Sequence, residues 1–326
     1  MEDNQLFETR TDLSNLEQAV RRIKTELAKV IVGQEEMIDL LLIAILTNGH
    51  TLIEGVPGIA KTLVAKLLAK SINADFSRIQ FTPDLMPSDV IGTSIYNMGK
   101  EEFQFKKGPI FSNLVLIDEI NRAPAKTQSA LFEVMEERQI SIDGTTYQLQ
   151  PPFLVFATQN PIEHEGTYRL PEAQLDRFLF KINVAYPSVE EEEQILDRHD
   201  NGKNELHADA VTPVLQASEL LALQKQIVNI TIEPGLKKYI AHIVSTTRNH
   251  RDIYLGASPR ASIHIMNAAK AVAAIAGRDF VTPSDIKEIT NPVLCHRIIL
   301  SPEKEMEGIR PEDMINMLIQ GIEVPR

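Results

Sequence analysis

The stretch HTLIEGVPGIAKTLVAKLLAK, residues 50–70, places a glycine-containing loop between a short apolar strand pattern and an apolar helix pattern. This order is the context in which loops of the form G-x-x-x-x-G-K-[ST] bind phosphate. Residues 55–62, GVPGIAKT, fit the form except that Ala60 stands where glycine is usual. Alanine keeps its backbone N–H, and a residue that starts a helix does not need a positive φ. The stretch therefore predicts a phosphate site, and the alanine matters only if this position needs a positive φ.

Several groups of this loop are candidates for nucleotide binding. Successive backbone N–H groups and the positive end of the helix dipole can point at phosphate oxygens. The Lys61 ammonium is expected to reach the β- and γ-phosphates, and the Thr62 hydroxyl to hold Mg²⁺. The residues predicted to bind the nucleotide here are Val56, Pro57, Gly58, Ile59, Ala60, Lys61, Thr62 and Leu63. The alternative is a Gly-Pro turn that merely joins a strand to a helix.

Polar side chains also follow two later strand patterns. Residues 113–119, NLVLIDE, end in the adjacent acids Asp118 and Glu119. Residues 153–159, FLVFATQ, are followed by Asn160. Asp118 is placed to bind Mg²⁺ directly or through water, Glu119 to polarise the attacking water, and Asn160 to position water near a γ-phosphate. Ligands of open α/β sheets bind at the carboxyl ends of strands, so one site is predicted, although solvated loop starts and an ordinary turn remain alternatives.

Short apolar, β-branched or aromatic runs along the first half of the chain are candidate buried strands. They cover residues 50–54, 76–81, 113–119, 153–159 and 178–184. Helical patterns separate several of them, which predicts an α/β fold with a parallel sheet flanked by helices. Two inserts interrupt the alternation: residues 87–112 have a short β pattern in their middle, and in residues 138–149 Asp143-Gly144 predicts a tight hairpin. Such a hairpin either projects outward or merely covers the surface.

The chain after Pro187 has helical patterns. Ser188 and Glu191 form a capping-box pattern, and further apolar helical periods follow. A chain of 326 residues also suits two domains. We therefore expect a nucleotide-binding core in residues 1–187 and a smaller, all-helical domain in residues 188–326.

The composition is that of a globular protein, with 43% hydrophobic and 24% charged residues. The formal charge of −12 disfavours non-specific attraction to nucleic acid. The single cysteine, Cys295, lies in an apolar pattern and is expected to be a buried thiol in a reducing compartment. The start of the chain is not basic and then apolar, and no apolar run reaches the ~18 residues of a membrane span. We expect a cytoplasmic protein, with association to a membrane partner left open.

Long blocks of this sequence resemble the MoxR family of AAA+ ATPases. The blocks are residues 114–137, 156–178 and 256–261, and GVPGIAKT at 55–62 is similar to the family's first nucleotide motif, where alanine before the lysine is usual. The resemblance covers roughly residues 15–300. It implies an AAA+ P-loop core followed by a helical lid. It further implies ATP and Mg²⁺ as cofactors and a homo-oligomeric ring, with a hexamer expected, in which ATP lies between neighbouring subunits.

The resemblance also assigns roles to residues around the nucleotide. Val32, Gly33 and Gln34 resemble the segment that lines the adenine pocket. Asn160 resembles the sensor of the γ-phosphate. Together with the acids and the loop lysine, these residues would form the nucleotide site of one subunit.

Two arginines resemble further catalytic parts of the family. Arg177 is similar to the arginine finger that neutralises charge at the neighbour's ATP, the alternative being a structural arginine paired with Asp176 or another acid. Arg260 is similar to the second sensor on the lid, the alternative being an exposed residue of a capped helix. Arg169 and His164 depart from the family's usual residues. Arg169 is a second trans arginine or a solvated loop charge, and His164 has no metal-ligand pattern around it.

The MoxR resemblance implies an ATP-hydrolysing, chaperone-like remodeller that helps to activate or mature protein clients. A protein client or a von Willebrand A domain is the expected partner, and the inserts resemble segments by which relatives contact substrates or assembly partners. Alternatives are the motor subunit of a metal chelatase, a nucleic-acid motor or loader, and a scaffold that binds ATP without turnover. The sequence shows no winged helix, zinc ribbon or basic stripe, which disfavours the nucleic-acid motor.

Overall fold

The structure, a computed structural model, describes residues 12–56, 58–161, 168, 170–200 and 208–325. The chain forms two compact units. One is Ile23–Leu220, and the other joins the chain up to Arg22 with Leu221–Arg326. These units divide the chain elsewhere than at residue 187, and the domain boundary predicted there stays a prediction.

The strands of the described chain belong to one large sheet and three small ones. Their bounds are β1 Thr51–Gly55, β2 Phe76–Gln80, β3 Gly92–Asn97, β4 Glu102–Lys107, β5 Leu114–Asp118, β6 Gln139–Ile142, β7 Thr145–Gln148, β8 Leu154–Gln159, β9 Phe180–Val184, β10 Ile253–Leu255 and β11 Ile299–Leu300. The large sheet of the described residues is parallel throughout, with strand order β2-β5-β8-β1-β9. The predicted α/β fold is therefore confirmed, with each predicted strand in place.

Helices cover the sheet and form the second unit. Their bounds are α1 Ser14–Ala28, α2 Glu35–Leu46, α3 Lys61–Ser71, α4 Pro87–Ile91, α5 Ala125–Glu137, α6 Glu172–Leu175, α7 Val189–Asp200, α8 Ala217–Val228, α9 Pro234–Asn249, α10 Pro259–Ile275, α11 Pro283–Leu294, α12 Pro302–Met306 and α13 Pro311–Gly321. The predicted caps form: Glu191 N–H donates to Ser188 Oγ at 3.2 Å, and Arg260 N–H donates to Ser258 Oγ at 3.2 Å. Strands β10 and β11, which the sequence did not predict, pair antiparallel.

The central strands of the sheet are continuous apolar runs in the sequence because both of their faces are buried. Every residue of β5 is buried, and Val115 and Phe156 are fully inaccessible. A strand covered on both faces loses the alternation of apolar and polar residues that a half-exposed strand shows. Phe132 of α5 and Phe178 pack edge to face, with ring centroids 5.8 Å apart. Burying each such ring stabilises the fold by about 1.5–3 kcal/mol.

The two inserts form antiparallel hairpins outside the large sheet, β3 with β4 and β6 with β7. Asp143 and Gly144 have φ of 50° and 75°, which is the pair of positive values that a two-residue hairpin turn requires. The two hairpins contact each other: Ser94 Oγ donates to Asp143 Oδ2 at 2.5 Å, and the Phe105 and Tyr147 rings lie 4.6 Å apart. The predicted hairpin is therefore present, and the other hairpin packs on it.

Candidate nucleotide-binding and catalytic site

The phosphate loop joins the end of β1 to the start of α3. Gly58 has a φ of 89° and Ala60 a φ of 62°, and α3 starts at Lys61. Ala60 therefore has the positive φ at which alanine in place of glycine matters. The chain must turn into α3 through a left-handed residue, which costs a non-glycine residue about 1–2 kcal/mol. Pro57 lies outside the described residues.

Lys61 lies over this loop. Its Nζ donates to the Gly55 carbonyl oxygen at 2.5 Å. Burial lowers the pKa of the Lys61 ammonium, while the charges of Asp118 and Glu119 oppose that shift. The lysine is thus held at the loop in the field of both predicted acids.

Asp118 ends β5 and is 7% exposed. Its Oδ1 accepts from Thr158 Oγ1 at 3.1 Å. Its Oδ2 accepts from Arg78 Nε at 2.6 Å and lies 3.5 Å from Thr62 Oγ1. The structure therefore brings together Thr62 and Asp118, the two predicted metal ligands.

Glu119 follows Asp118 in a left-handed conformation, with a φ of 56° and a ψ of 53°. Its backbone N–H donates to Thr158 Oγ1 at 3.0 Å. Its Oε2 accepts from Gln80 Nε2 at 2.8 Å and from Arg122 Nη1 at 3.0 Å. Strained backbone of this kind persists where the surroundings hold it, and such residues cluster at functional sites.

Strand register explains why these groups meet. In the parallel pairing, Gln80 lies opposite Asp118 and Glu54 lies opposite Gln159. The carboxyl ends of the strands therefore share one edge, and Asn160, which is 9% exposed, follows directly after β8 at that edge. This is the edge at which the sequence predicted a single site.

A cavity of about 190 Å³ lies beside the phosphate loop. Its described lining residues are mostly apolar and come from the α1–α2 connection, the loop and α7. They are Val30, Ile31, Val32, Gln34, Gly58, Ile59, Ala60, Leu63, Pro187, Ile195, Arg198 and His199. Most of the predicted adenine- and loop-binding residues thus line one cavity of a size and polarity suited to a base.

Gly33, between two lining residues, is packed against α7. It has a φ of 64°, and a Cβ built on it would lie 2.0 Å from Glu191 Oε1. Glu191 is in turn fixed by the capping box, where its Oε2 accepts from Ser188 N–H at 2.8 Å. Glycine is therefore required here for both its conformation and its lack of a side chain.

Sequence reasoning missed the α7 residues of this cavity. Arg198 Nη2 donates to the Ala28 carbonyl at 3.2 Å, and its Nη1 lies 3.4 Å from the Lys29 carbonyl oxygen. These bonds satisfy carbonyls at the end of α1 and tie α7 to the segment that lines the cavity. The signal available in the sequence was the spacing of Ile195, Arg198 and His199, which places them on one face of a helix.

Other residues around the two acids were also missed. Arg78 and Gln80 lie in a run that reads as a strand, Arg122 in a turn, and Thr158 within a buried strand. No local motif distinguishes them, because they reach the acids only through strand pairing and chain turning.

The two arginines predicted as the arginine finger and the lid sensor belong to different units of the chain. Arg177 Nη1 donates to the Phe132 carbonyl at 2.7 Å and lies 3.6 Å from Glu136 Oε2. Arg260 belongs to the other unit, where it is the second residue of α10. Arg169 and His164 lie outside the described residues.

Within the described ranges, no group of three or more His, Cys, Asp or Glu side chains could hold a metal ion. None of the helices in those ranges is long and apolar enough to cross a membrane. The Cys295 thiol is buried, as predicted. A Mg²⁺ site in a nucleotide-binding protein typically has one or two protein ligands and is completed by phosphates and water, so Thr62 and Asp118 fit that ion.

Comparison with known families agrees with this geometry. The model of the ATPase family associated with various cellular activities (AAA) matches residues 50–180, and the AAA lid domain matches residues 245–318. The fold, the phosphate loop and the paired acids thus define an AAA-type ATPase that binds and hydrolyses ATP.

Individual relatives narrow the class. The chain is 48% identical to YeaC of Bacillus subtilis, across 91% of this chain and 92% of that protein. It is 46% identical to the chaperone MoxR1 of Mycobacterium tuberculosis, across 97% of this chain and 84% of that protein. The crystal structure of a protein from Cytophaga hutchinsonii matches this chain with a TM-score of 0.89 and 46% sequence identity, across 96% of this chain and 97% of that one. The chain belongs to the MoxR family of AAA+ ATPases, as its motifs predicted.

Proposed function

We propose that this ATPase is a Mg²⁺-dependent, ring-forming remodeller that acts on protein clients. The observation that carries the proposal is the convergence of Lys61, Thr62, Asp118 and Glu119 at one edge of the sheet. Each of them has a part in phosphoryl transfer from ATP to water. The chaperone MoxR1 and the exposed apolar hairpin described below support the client part of the proposal.

Binding of the triphosphate is assigned to the loop. Its backbone N–H groups and the start of α3 attract phosphate oxygens, and Lys61 pairs with the β- and γ-phosphates. Thr62 and Asp118 would hold Mg²⁺, which neutralises charge on the phosphates when it is bound. Ala60 keeps its N–H, so the alanine costs conformational energy without removing a phosphate donor.

Hydrolysis is assigned to the adjacent acid and the neighbouring amide. Glu119 accepts the proton of the attacking water, and Asn160 orients that water toward the γ-phosphate. Gln80 and Arg122 donate to the Glu119 carboxylate and fix its position at the end of β5. Arg177 of a neighbouring subunit would supply charge to the transition state, which makes turnover depend on assembly.

Selection of adenine is assigned to the cavity beside the loop. No carboxylate lies among the described residues that line it. Guanine would need an acceptor of that kind for its N1–H and amino group, whereas adenine can be read by backbone groups and apolar contact. We therefore expect ATP to bind more tightly than GTP.

A client surface is assigned to the hairpin of β3 and β4. Met98 is 87% exposed, Phe103 73%, Tyr96 48% and Ile95 47%. A cluster of exposed apolar side chains on one element often marks a surface that binds another protein. The hairpin packs on the second hairpin through the Phe105 and Tyr147 rings.

The experiment that tests the function uses Glu119→Gln as a trap. This variant is expected to bind ATP without hydrolysing it, and proteins that co-purify from a lysate only with ATP present are identified. The matched control is Glu119→Gln combined with Phe103→Ser and Tyr96→Ser, which should keep ATP and lose the clients. Recovery of DNA that resists nuclease competition and moderate salt, with no protein client, would contradict the remodeller and favour a nucleic-acid motor.

A second measurement tests assembly. If sites form between subunits, ATP turnover per chain should rise with protein concentration until the ring is complete. Turnover per chain that stays constant from nanomolar to micromolar protein, with a monomeric mass throughout, would exclude a shared site.

A further inference from the structure

The predicted metal ligand Asp118 already has a cationic partner within the same chain. Arg78 Nε donates to Asp118 Oδ2 at 2.6 Å, across the pairing of β2 with β5. The Arg78 side chain is 53% exposed, whereas that of Asp118 is 10% exposed. An ion pair with one buried member is screened by solvent and salt less than a fully exposed pair.

The contact falls on the oxygen that the metal would need. Oδ2 is the atom that accepts from Arg78 and lies 3.5 Å from the Thr62 hydroxyl. Oδ1 is occupied by the Thr158 hydroxyl at 3.1 Å. Thr62 and Asp118 would hold Mg²⁺, and Oδ2, the carboxylate oxygen beside the Thr62 hydroxyl, would bind the ion directly or through water. A guanidinium and a divalent cation at the same oxygen repel each other strongly.

We propose, resting on the proposed function, that Arg78 is a resident counter-ion that competes with divalent metal for Asp118. It neutralises the carboxylate in the nucleotide-free protein and lowers the affinity of that site for Mg²⁺. A metal ion that arrives with ATP brings phosphate ligands of its own and overcomes the competition. Arg78 is thus a positioning residue that favours entry of the metal together with the nucleotide.

The remaining contacts of Arg78 fit this role. Its Nη2 lies 3.3 Å from Gln80 Oε1, so the guanidinium has a neighbouring acceptor on its own strand. Arg78 lies opposite Leu116 in the strand pairing, two residues from the Gln80 pair with Asp118. Both side chains therefore lie on one face of β2 and share the sheet edge with the acids.

The test measures binding of Mn²⁺ to the nucleotide-free protein by electron paramagnetic resonance, up to millimolar metal. Arg78→Met and Arg78→Gln are expected to tighten Mn²⁺ binding by roughly three- to fivefold, the upper part of the range that corresponds to losing one partly exposed ion pair. Arg78→Lys keeps the charge and should stay within about twofold of the wild type. Lys24→Met, which breaks the Lys24–Asp39 ion pair of the same unit, is the matched control and should leave Mn²⁺ binding unchanged.

The outcomes separate this inference from the proposed function. The double variant Arg78→Met with Asp118→Asn should lose the Mn²⁺ binding that Arg78→Met alone creates or strengthens. If the double variant still binds Mn²⁺ as tightly as Arg78→Met, Asp118 is not the metal ligand. If Asp118→Asn weakens binding but Arg78→Met and Arg78→Gln bind Mn²⁺ no better than the Lys24→Met control, only the counter-ion role is wrong. No binding to any of these proteins up to millimolar metal also overturns it, because Arg78 would then not be what limits affinity.

Discussion

The Arg177 guanidinium lies 3.6 Å from the Glu136 carboxylate and donates to the Phe132 carbonyl at 2.7 Å, all within one chain. Each partner lies on α5, the helix that follows the two acids. Such contacts suit a structural arginine, yet an arginine that acts on a neighbouring subunit also needs to be held in position. The two roles differ in what happens when its carboxylate partner is removed.

We predict that Arg177→Ala reduces ATP turnover by about 10³-fold or more, the usual contribution of an arginine finger. Binding of a fluorescent ATP analogue should stay within about threefold of the wild type, since the residue acts on the neighbour's transition state. Glu136→Gln is the matched control and should keep most of the turnover. Equal losses in the two variants would identify Arg177 as structural.

Ala60→Gly should stabilise the protein. Glycine adopts the φ of 62° observed at this position without the strain that alanine bears, a difference of about 1 kcal/mol. The measurement is the urea midpoint of unfolding for the unit that contains α3. Ala69→Gly, inside α3, is the control and should lower stability by about 1 kcal/mol. A lower midpoint for Ala60→Gly would mean that the left-handed conformation costs nothing here.

Gly33→Ala should weaken both stability and ATP binding. The new Cβ would displace the Glu191 carboxylate from its cap, and the φ of 64° would be strained, for a combined cost of about 2 kcal/mol. Gly144→Ala has positive φ but nothing within 4 Å of its Cβ, so it isolates the strain. The double variant Gly33→Ala with Glu191→Ala should recover part of the ATP affinity. Equal effects of the two glycine variants on ATP affinity would argue against the contact.

His50 should make folding sensitive to acid. Burial lowers its pKa from 6.5 to about 3, the charge of Arg138 adds to the shift, and a hydrogen bond to the Met135 carbonyl opposes it. Its Nδ1 accepts from Val155 N–H at 3.0 Å, so the folded protein needs the neutral ring.

The folded-state pKa is below the unfolded value, so the stability is full above pH 6.5 and is lost as pH falls toward 3. Between pH 7.5 and pH 5 this histidine should remove about 2 kcal/mol of unfolding free energy. Over this pH range, the free energy of unfolding of the wild type should fall by about 2 kcal/mol more than that of His50→Asn. If the unfolding free energies from urea titrations changed equally with pH in the two proteins, protonation of His50 would not destabilise the folded state.

Much of the fold could be read from local patterns. The apolar runs that became β1, β5 and β8 are continuous because each strand is covered on both faces, and burial of that kind is written in consecutive residues. The hairpin at Asp143-Gly144 and the capping box at Ser188 depend on residues a few positions apart. Such features are predictable because the atoms that interact are neighbours in the chain.

The conformation of Ala60 could not be predicted from the sequence, for the opposite reason. The identity of the residue gives no sign of a positive φ, because alanine disfavours one. The route of the loop from the end of β1 into α3 imposes it, and the packing of Ile59 and Val64 in the core holds it. Packing of the surrounding residues supplies the free energy that offsets the strain at Ala60, and the local sequence does not contain that packing.

The sequence by itself determined the class of protein and the parallel α/β core, and it predicted the loop, acid and amide residues of the candidate site, because each is marked by short-range chemistry or by a motif. Only the tertiary structure decided which side chains contact those residues. Arg78, Gln80 and Arg122 donate to the two acids, and Arg198 ties α7 to the cavity beside the phosphate loop. Arg78 and Asp118 are 40 positions apart and meet only when β2 pairs with β5 in one register. A contact fixed by strand register depends on the whole sheet, so no single stretch of sequence contains it.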